Sequence, residues 1–204
     1  WSLVGSEMCI RDRYTLSFSM VQYILFIFTQ VVLARLISPE IFGEFAIISI
    51  YVMLFFTLSN FQSDKYIITK ENISNGDFNA ILKFDLIIST VNYFFFFLIV
   101  YNQLLPNIDY QYKNQILLFG LIVFYHPLSR KKALLEKELN FFNARFPATI
   151  ATILSSIISV ILAFNGYTIT ALILWKLLQY FFEVIILSYL KIVKGESNYW
   201  GNIK

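Results

Sequence analysis

Long apolar runs separated by short polar breaks form the dominant pattern of this chain. The first run extends from Tyr14 to Ala34 and has Gln22 and Gln30 as its only strongly polar members. A second run of the same length extends from Ile41 to Phe61. A helix needs roughly 20 apolar residues to cross the hydrocarbon core of a bilayer. Each run therefore predicts one transmembrane helix.

The break between these runs, within the stretch from Ala34 to Ala46, has the residues of a tight helical turn. Ser38 suits the N-cap of a new helix, and Pro39 suits its first turn because the missing N–H costs nothing there. Glu40 then lies at the positive end of the helix dipole. Arg35 ends the first run. This pattern predicts a membrane helical hairpin.

Four further apolar segments predict an all-α, polytopic membrane bundle of about six transmembrane helices. They run from about Asn79 to Tyr101, from near Asn114 to Tyr125, from Ala144 to Phe164, and from Tyr167 to Leu190. Just after the second of these segments, Pro127 removes a backbone hydrogen bond and predicts a kinked helix. The basic residues that follow, Arg130 to Lys132, are expected to emerge into water or lipid headgroups.

One face of the segment from Ala144 to Phe164 carries small side chains at intervals of three and four residues. They are Ala148, Thr152, Ser155, Ser159 and Ala163. Small side chains let helix backbones approach closely, so we favour close helix packing. A smooth wall of a substrate cavity is the alternative.

Composition and charge agree with a membrane protein. Hydrophobic residues make up 58% of the chain and charged residues 14%, compared with about 45–50% and 25% in soluble domains. Most basic loop residues fall on the side of the two chain ends, at Lys65, Lys70, Arg130, Lys131, Lys132, Lys137, Arg145, Lys191, Lys194 and Lys204. The opposite loops hold only Arg35 and Lys113. The positive-inside rule therefore predicts that both ends are cytoplasmic.

The first residues differ in origin from the rest. Met8 to Arg13 reads as the translation of ATGTGTATAAGAGACAG, the transposon end of a common sequencing-library adaptor, so we expect residues 1–13 to be an artefact. The only cysteine, Cys9, lies there, which leaves no disulfide, thiolate nucleophile or sulfur-ligated metal elsewhere. We expect residues 14–190 to form the bundle and residues 191–204 to form a truncated cytoplasmic tail or linker.

Charged residues inside the last apolar segment are the first candidate site residues. Lys176 and Glu183 are two helical turns apart, on nearly the same face. A charge at the depth of Lys176 costs on the order of 2.5–3.5 kcal/mol, which implies a partner or a water-filled cavity. A structural interhelical pair and a place on a substrate or ion path are equally open.

Three further charges lie nearer the ends of the predicted helices. Lys83 and Asp85 are two residues apart, so they point to different faces, and we expect both to be solvated near the cytoplasmic interface. Arg35 is an interface anchor, which we favour, or a phosphate ligand. Arg35, Lys83 and Lys176 suit the binding of a phosphate group, because a cation in a low-dielectric cavity attracts phosphate strongly. Asp85 and Glu183 suit the balancing of those cations or the binding of a coupling proton or sodium ion.

The sequence contains little of the chemistry that enzymes use. No Gly-rich phosphate loop with Lys and Ser or Thr is present, and the single histidine, His126, excludes a His-pair metal site. No carboxylate pair has the spacing that glycosyl hydrolysis suggests. We therefore expect no enzyme activity, catalytic residue, metal, cofactor or nucleic-acid partner. His126 is interpreted as a residue at the end of the kinked helix.

Three segments resemble, in order, segments of one protein family. Leu33 to Gly43, LARLISPEIFG, resembles the ARLLSPEDFG signature between the first two helices of bacterial polysaccharide (O-antigen and exopolysaccharide) flippases. These flippases belong to the multidrug/oligosaccharidyl-lipid/polysaccharide exporter superfamily. Ala133 to Phe142, ALLEKELNFF, is similar to their ALLQRELRFK segment after helix four. Leu162 to Leu174 is similar to their ALLGFGVWALV turn between helices five and six.

The resemblance implies a fold of two six-helix bundles around a cavity that opens alternately to either side. This chain would be the N-terminal half of such a transporter and would need the missing C-terminal half. The implied activity is the transfer of undecaprenyl-diphosphate-linked oligosaccharide across the bacterial inner membrane. The implied partners are the lipid bilayer, the lipid-linked oligosaccharide and a coupling cation, H⁺ or Na⁺. The alternatives are a multidrug or other lipid exporter of the same superfamily, and a non-transporting membrane subunit of a polysaccharide assembly complex.

Overall fold

The computed structural model describes residues 2–70, 73–104, 112–138 and 140–190, so the predicted tail at 191–204 lies outside it. The elements found in these ranges are all helical. In order they are α1 (Ser2–Leu36), α2 (Pro39–Ser59), α3 (Ser63–Thr69), α4 (Asn75–Tyr101), α5 (Lys113–Gly120), a 3-10 helix (Leu121–Phe124), α6 (Tyr125–Leu128), α7 (Arg130–Lys137), α8 (Phe141–Phe164) and α9 (Thr168–Tyr189). Five stretches are long and apolar enough to cross a membrane, namely Leu16–Leu36, Pro39–Thr69, Gly76–Tyr101, Phe141–Phe164 and Thr168–Tyr189. The predicted helical membrane bundle is confirmed.

The predicted hairpin turn lies where the sequence places it. α1 ends at Leu36 and α2 begins at Pro39, with Ser38 in the extended conformation of an N-cap residue. Glu40 lies in the first turn of α2. At the other end of α2 the chain turns through Gln62, whose φ of 54° is left-handed, and continues as the short helix α3.

α4 begins ahead of its apolar run because it has a complete N-terminal cap. Ser74 Oγ accepts a hydrogen bond from the Asp77 N–H (3.1 Å), and the Asp77 carboxylate accepts one from the Ser74 N–H (3.2 Å). This capping box satisfies backbone donors that the first turn would otherwise leave open. The helix therefore begins at Asn75, while the apolar run begins near Asn79.

The fourth predicted helix is broken into several pieces, whereas the sequence predicts one helix with a single kink at Pro127. α5 ends at Gly120, a turn of 3-10 helix follows, and Ser129 separates α6 from α7. Pro127 lies within the broken region, but the break starts earlier, at Gly120. A Cβ atom added to Gly120 would lie 2.5 Å from a ring carbon of Phe96. Glycine is therefore required for α5 to pack this closely on α4.

The broken segment still crosses the bundle. At its start, Lys113 Nζ donates a hydrogen bond to the carbonyl oxygen of Tyr101, at the end of α4 (3.3 Å). At its far end, Arg130 pairs with Asp85, which also lies on α4. The stretch of α4 between these contacts is about 16 residues, or about 24 Å. The described chain thus crosses the bundle six times, five times as a continuous helix and once in pieces.

Two apolar clusters hold the bundle together. The larger lies between α2, α4, the broken segment and α9, and its largest fully buried side chains include Trp175, Phe96 and Phe119. The smaller surrounds α7, where Leu134 and Leu135 pack with residues of α3, α4, α8 and α9. We term the end of the bundle that carries α3, α7, the start of α4 and the end of α9 the α7 end.

The small-residue face of α8 is buried against its neighbours, so the close-packing interpretation is confirmed. Its members are at most 7% exposed: Ala148, Thr152, Ser155, Ser159 and Ala163. Ser159 Oγ donates a hydrogen bond to the carbonyl oxygen of Ala171 on α9 (2.9 Å). In contrast, Met20 and Phe28 on the outer side of α1 are each 66% exposed, as expected of side chains that face lipid.

Candidate functional site

At the α7 end, Arg130 forms the centre of a buried ionic cluster. Its Nε donates a hydrogen bond to Asp85 Oδ2 (2.6 Å), and its Nη1 pairs with Asp64. Asp85 also accepts a hydrogen bond from the Ser63 hydroxyl group (2.8 Å). Arg130 is 1% exposed and Asp85 is 0% exposed. The guanidinium group thus joins α7 to α3 and α4, in surroundings where each charge depends on its partner.

Two expectations from the sequence are wrong at this cluster. Asp85 is buried rather than solvated, and Arg130 and Lys131 are buried rather than emerging into water. The reason is that α7 folds back over α3 and α4, with its own apolar side chains in the smaller core. Lys83 is exposed, as predicted, on a different face of α4 from Asp85. Asp64 is not predictable as a partner from the sequence, because 66 residues separate it from Arg130.

α7 also binds the last helix. Lys132 Nζ donates a hydrogen bond to Glu183 Oε1 (2.8 Å), and Glu183 is 4% exposed. Lys131 Nζ donates to the carbonyl oxygens of Ser188 and Leu190 at the C-terminal end of α9, a favourable position for a cation. Glu183 is therefore part of an interhelical ion pair in the structure, with Lys132 as its partner.

Weaker ion pairs complete the α7 end. Lys70 Nζ lies 2.8 Å from Asp77 Oδ2, and Arg145 Nη2 lies 3.4 Å from Glu136 Oε1. The hydrogen bond from Lys70 to Asp77 raises the pKa of Lys70. These four side chains are between 22% and 38% exposed, and exposed pairs contribute at most about 1 kcal/mol. Removal of one partner should therefore be most costly at the buried pairs of Arg130 and Lys132.

Lys176 lies in a different environment, near the middle of α9. Its Nζ is 4.5 Å from the ring centre of Phe26 and 4.6 Å from that of Trp175. The two rings stack on each other with their centres 5.4 Å apart and join α1 to α9. No ion pair to Lys176 is found within the described ranges. Aromatic faces stabilise a cation by about 0.5–2 kcal/mol, but they do not neutralise its charge.

Uncharged polar groups lie beside Lys176. Gln22 Nε2 on α1 donates a hydrogen bond to Thr149 Oγ1 (3.0 Å), and Gln179 Nε2 on α9 donates one to Thr152 Oγ1 (3.1 Å). Gln179 follows Lys176 by three residues, so the two side chains are neighbours on α9. We term these five residues the mid-membrane patch. Of these five residues, only Lys176 is a candidate predicted from the sequence, although Gln22 is a polar interruption of the first apolar run.

The remaining candidates lie apart from this patch. Arg35 is exposed in the last turn of α1, about 13 Å along the helix from Phe26. Lys83 is exposed on α4. The five predicted residues therefore do not form one site. Asp85 and Glu183 are paired at the α7 end, Lys83 is exposed on another face of α4, and Arg35 and Lys176 lie on α1 and α9.

His126 is buried next to the ionic cluster and packs on Phe56, with the two ring centres 4.2 Å apart. His126 Nε2 and Arg130 Nη2 have no hydrogen-bond partner in the part of the chain that the structure describes. In that same part, no group of three His, Cys, Asp or Glu side chains is placed to hold a metal ion. The α7 end is thus assembled by charge pairing and apolar contacts.

These features define a multi-pass helical membrane protein with paired charges at one end and a cation held by aromatic rings near mid-depth. A family model described as polysaccharide biosynthesis protein matches residues 32–195, which is more than half of the chain. The chain belongs to this family of polysaccharide biosynthesis proteins. No curated protein and no solved structure matches it. The matched range contains α2 to α9, and with them Lys176 and Gln179, but not Gln22.

Proposed function

We propose that this chain is part of a transporter that moves undecaprenyl-diphosphate-linked oligosaccharide across the bacterial inner membrane by alternating access. The direction is from the cytoplasmic to the periplasmic leaflet, and both ends of the chain lie in the cytoplasm. Membership of the polysaccharide biosynthesis family supports a glycan as the cargo. The observation that carries the proposal is Lys176, a deep cation that has no carboxylate partner in the described ranges.

Lys176 lies deep within α9, where an ammonium group needs an anionic partner. It lies about 12 Å from the start of α9 and about 20 Å from its end, too far to reach water along the helix. A charge there costs on the order of 2.5–3.5 kcal/mol, of which the aromatic rings offset only a part. An anion that arrives with the substrate would supply the rest. A diphosphate suits this role because phosphate oxygens form strong, charge-assisted hydrogen bonds with ammonium groups.

Lys176 also disfavours the alternative that the transporter is a multidrug exporter. A positively charged drug would be repelled by Lys176, because like charges interact strongly in low-dielectric surroundings. The partly exposed amides of Gln22 and Gln179 also need a cavity or a protein neighbour, since lipid tails offer no hydrogen bonds. A second helical bundle packed against this face would supply that cover.

The test uses the intact transporter in proteoliposomes with a fluorescent undecaprenyl-diphosphate glycolipid. Transfer between leaflets is measured as protection from a membrane-impermeant quencher. We expect Lys176→Gln to abolish transfer and the matched control Lys83→Gln, on the exposed side of α4, to transfer at the wild-type rate. The glycolipid should be recovered unchanged, because we propose a transporter and not an enzyme. Wild-type protein that transfers nothing, or Lys176→Gln protein that transfers normally, would refute the proposal.

A further inference from the structure

Two threonines of α8 fix the orientation of the two glutamine amides in the mid-membrane patch. The hydroxyl groups of Thr149 and Thr152 each donate their proton to the backbone carbonyl oxygen four residues earlier (3.3 Å and 2.8 Å). Each hydroxyl oxygen is then left as an acceptor, so the N–H side of each amide faces it. The carbonyl oxygens of Gln22 and Gln179 therefore remain as free acceptors within the described ranges.

The two amides are bound to threonines that lie about one helical turn apart on α8. Thr149 and Thr152 are three residues apart on α8, which puts their Cβ atoms about 5–6 Å apart on one face of the helix. Gln22 reaches this face from α1, and Gln179 reaches it from α9. A single small ligand placed over α8 would thus meet both amides.

The ammonium group of Lys176 lies next to these amides. Lys176 precedes Gln179 by three residues on α9, and its Nζ lies over Phe26, which follows Gln22 by four residues on α1. The stacked rings of Phe26 and Trp175 bridge the same two helices. The contacts therefore link α1, α8 and α9 in a closed ring that contains one cationic donor and two amide groups.

Amide oxygens in this position need hydrogen-bond donors. Gln22 and Gln179 are partly exposed, and lipid tails supply no donor in the hydrocarbon region. A sugar ring supplies several hydroxyl groups. A small number of convergent polar groups beside aromatic side chains is the usual composition of a small-molecule site.

We propose that Gln22 and Gln179 bind hydroxyl groups of the first sugar of a glycosyl diphosphate whose phosphates are bound by Lys176. This inference rests on the proposed function and adds the groups that distinguish a glycosylated lipid from the bare lipid carrier. A soluble nucleotide sugar contains the same glycosyl diphosphate. The depth of the patch in the bilayer favours the lipid-linked source.

The experiment compares two probes, a fluorescent polyprenyl diphosphate and the same lipid carrying one hexose, on the full chain in lipid nanodiscs. We expect the wild-type protein to bind the glycosylated probe about tenfold more tightly, which corresponds to one or two hydrogen bonds. Gln22→Met and Gln179→Met keep the side-chain length and remove the amide. Each should lower the preference to about threefold, because the two amides share the tenfold preference, while the affinity for the bare probe stays the same.

Two further variants separate recognition from folding. Gln30→Met, two turns beyond Gln22 on α1, is the matched control and should keep the full preference. Thr152→Val leaves Gln179 in place but removes the hydroxyl group that orients its amide. The preference for the glycosylated probe should therefore fall by a factor of about three. This variant keeps the proposal testable if a glutamine variant fails to fold.

The outcomes distinguish the glutamine role from the proposed function. Equal binding of the two probes by the wild type, or variants that keep the preference, would remove the role of the glutamines alone. Equal loss of both probes in the glutamine variants would do the same. If the wild-type protein binds neither probe, the proposed function is refuted as well. We expect a UDP-linked hexose not to compete with the glycosylated probe, and competition would overturn the lipid-linked source.

Discussion

Two charges on one face of α9 have opposite environments, although they lie only about 10 Å apart along the helix. Glu183 pairs with Lys132 at 2.8 Å, and nearby Arg130 pairs with two carboxylates. Lys176 contacts two aromatic rings and no carboxylate within the described ranges. A paired buried charge is difficult to displace, because the partner left behind is costly, whereas a charge without a counterion is available to a ligand. The buried ion pairs therefore join the helices of the α7 end, whereas the mid-membrane patch is where we propose that a ligand binds.

The largest loss of stability is expected for Arg130→Met. This change leaves the fully buried carboxylate of Asp85 without a cation, and the free energy of unfolding should fall by about 3–5 kcal/mol. Asp64 matters less because its side chain is 41% exposed and can be hydrated. Thermal or denaturant unfolding of the purified protein in detergent measures the effect.

The control for this prediction is the double variant Arg130→Met with Asp85→Leu. Because both buried charges are removed together, it should recover most of the lost stability. If the single variant Arg130→Met is as stable as the wild type, the α7 end does not depend on its ion pairs. The distinction between the α7 end and the mid-membrane patch would then be wrong.

A smaller loss of stability is expected for the pair of Lys132 and Glu183, and it should differ according to which partner is removed. Lys132→Met leaves a carboxylate that is nearly buried, and should cost about 2–3 kcal/mol. Glu183→Gln leaves the side chain of Lys132, which is 22% exposed and partly hydrated, and should cost about 1 kcal/mol. Unfolding of both variants under the same conditions measures the order, and the reverse order would contradict the burial argument.

Much of the fold was predictable because it is encoded locally. The apolar runs predict the long helices, and Ser38 with Pro39 predicts the hairpin turn that the structure contains. The break in the fourth segment was predictable only in part, because Pro127 predicts a kink but not the earlier break. Its break begins at Gly120, where α5 approaches Phe96 more closely than any other residue would allow, and this contact joins two different segments of the chain.

The candidate site was less predictable because its partners are distant in sequence. The cost of burying Lys176 and Glu183 is visible from hydropathy alone, but the difference between them depends on what each contacts. Glu183 meets Lys132 from 51 residues away, and Gln22 meets Thr149 from 127 residues away. No local periodicity encodes such pairs.

The smallest effect on stability, and the largest on binding, is expected for Lys176→Met. The lost cation–π contacts, about 0.5–2 kcal/mol, are offset because a charge without a counterion no longer has to be buried. The free energy of unfolding should therefore change by less than about 1 kcal/mol, while the affinity for a bare polyprenyl diphosphate should fall more than about tenfold. A ligand that binds only the folded state raises the unfolding temperature. The diphosphate should thus stabilise wild-type protein and Glu183→Gln but not Lys176→Met. If Lys176→Met unfolds as readily as Arg130→Met, then Lys176 is a structural charge like Glu183, and the distinction between the two regions does not hold.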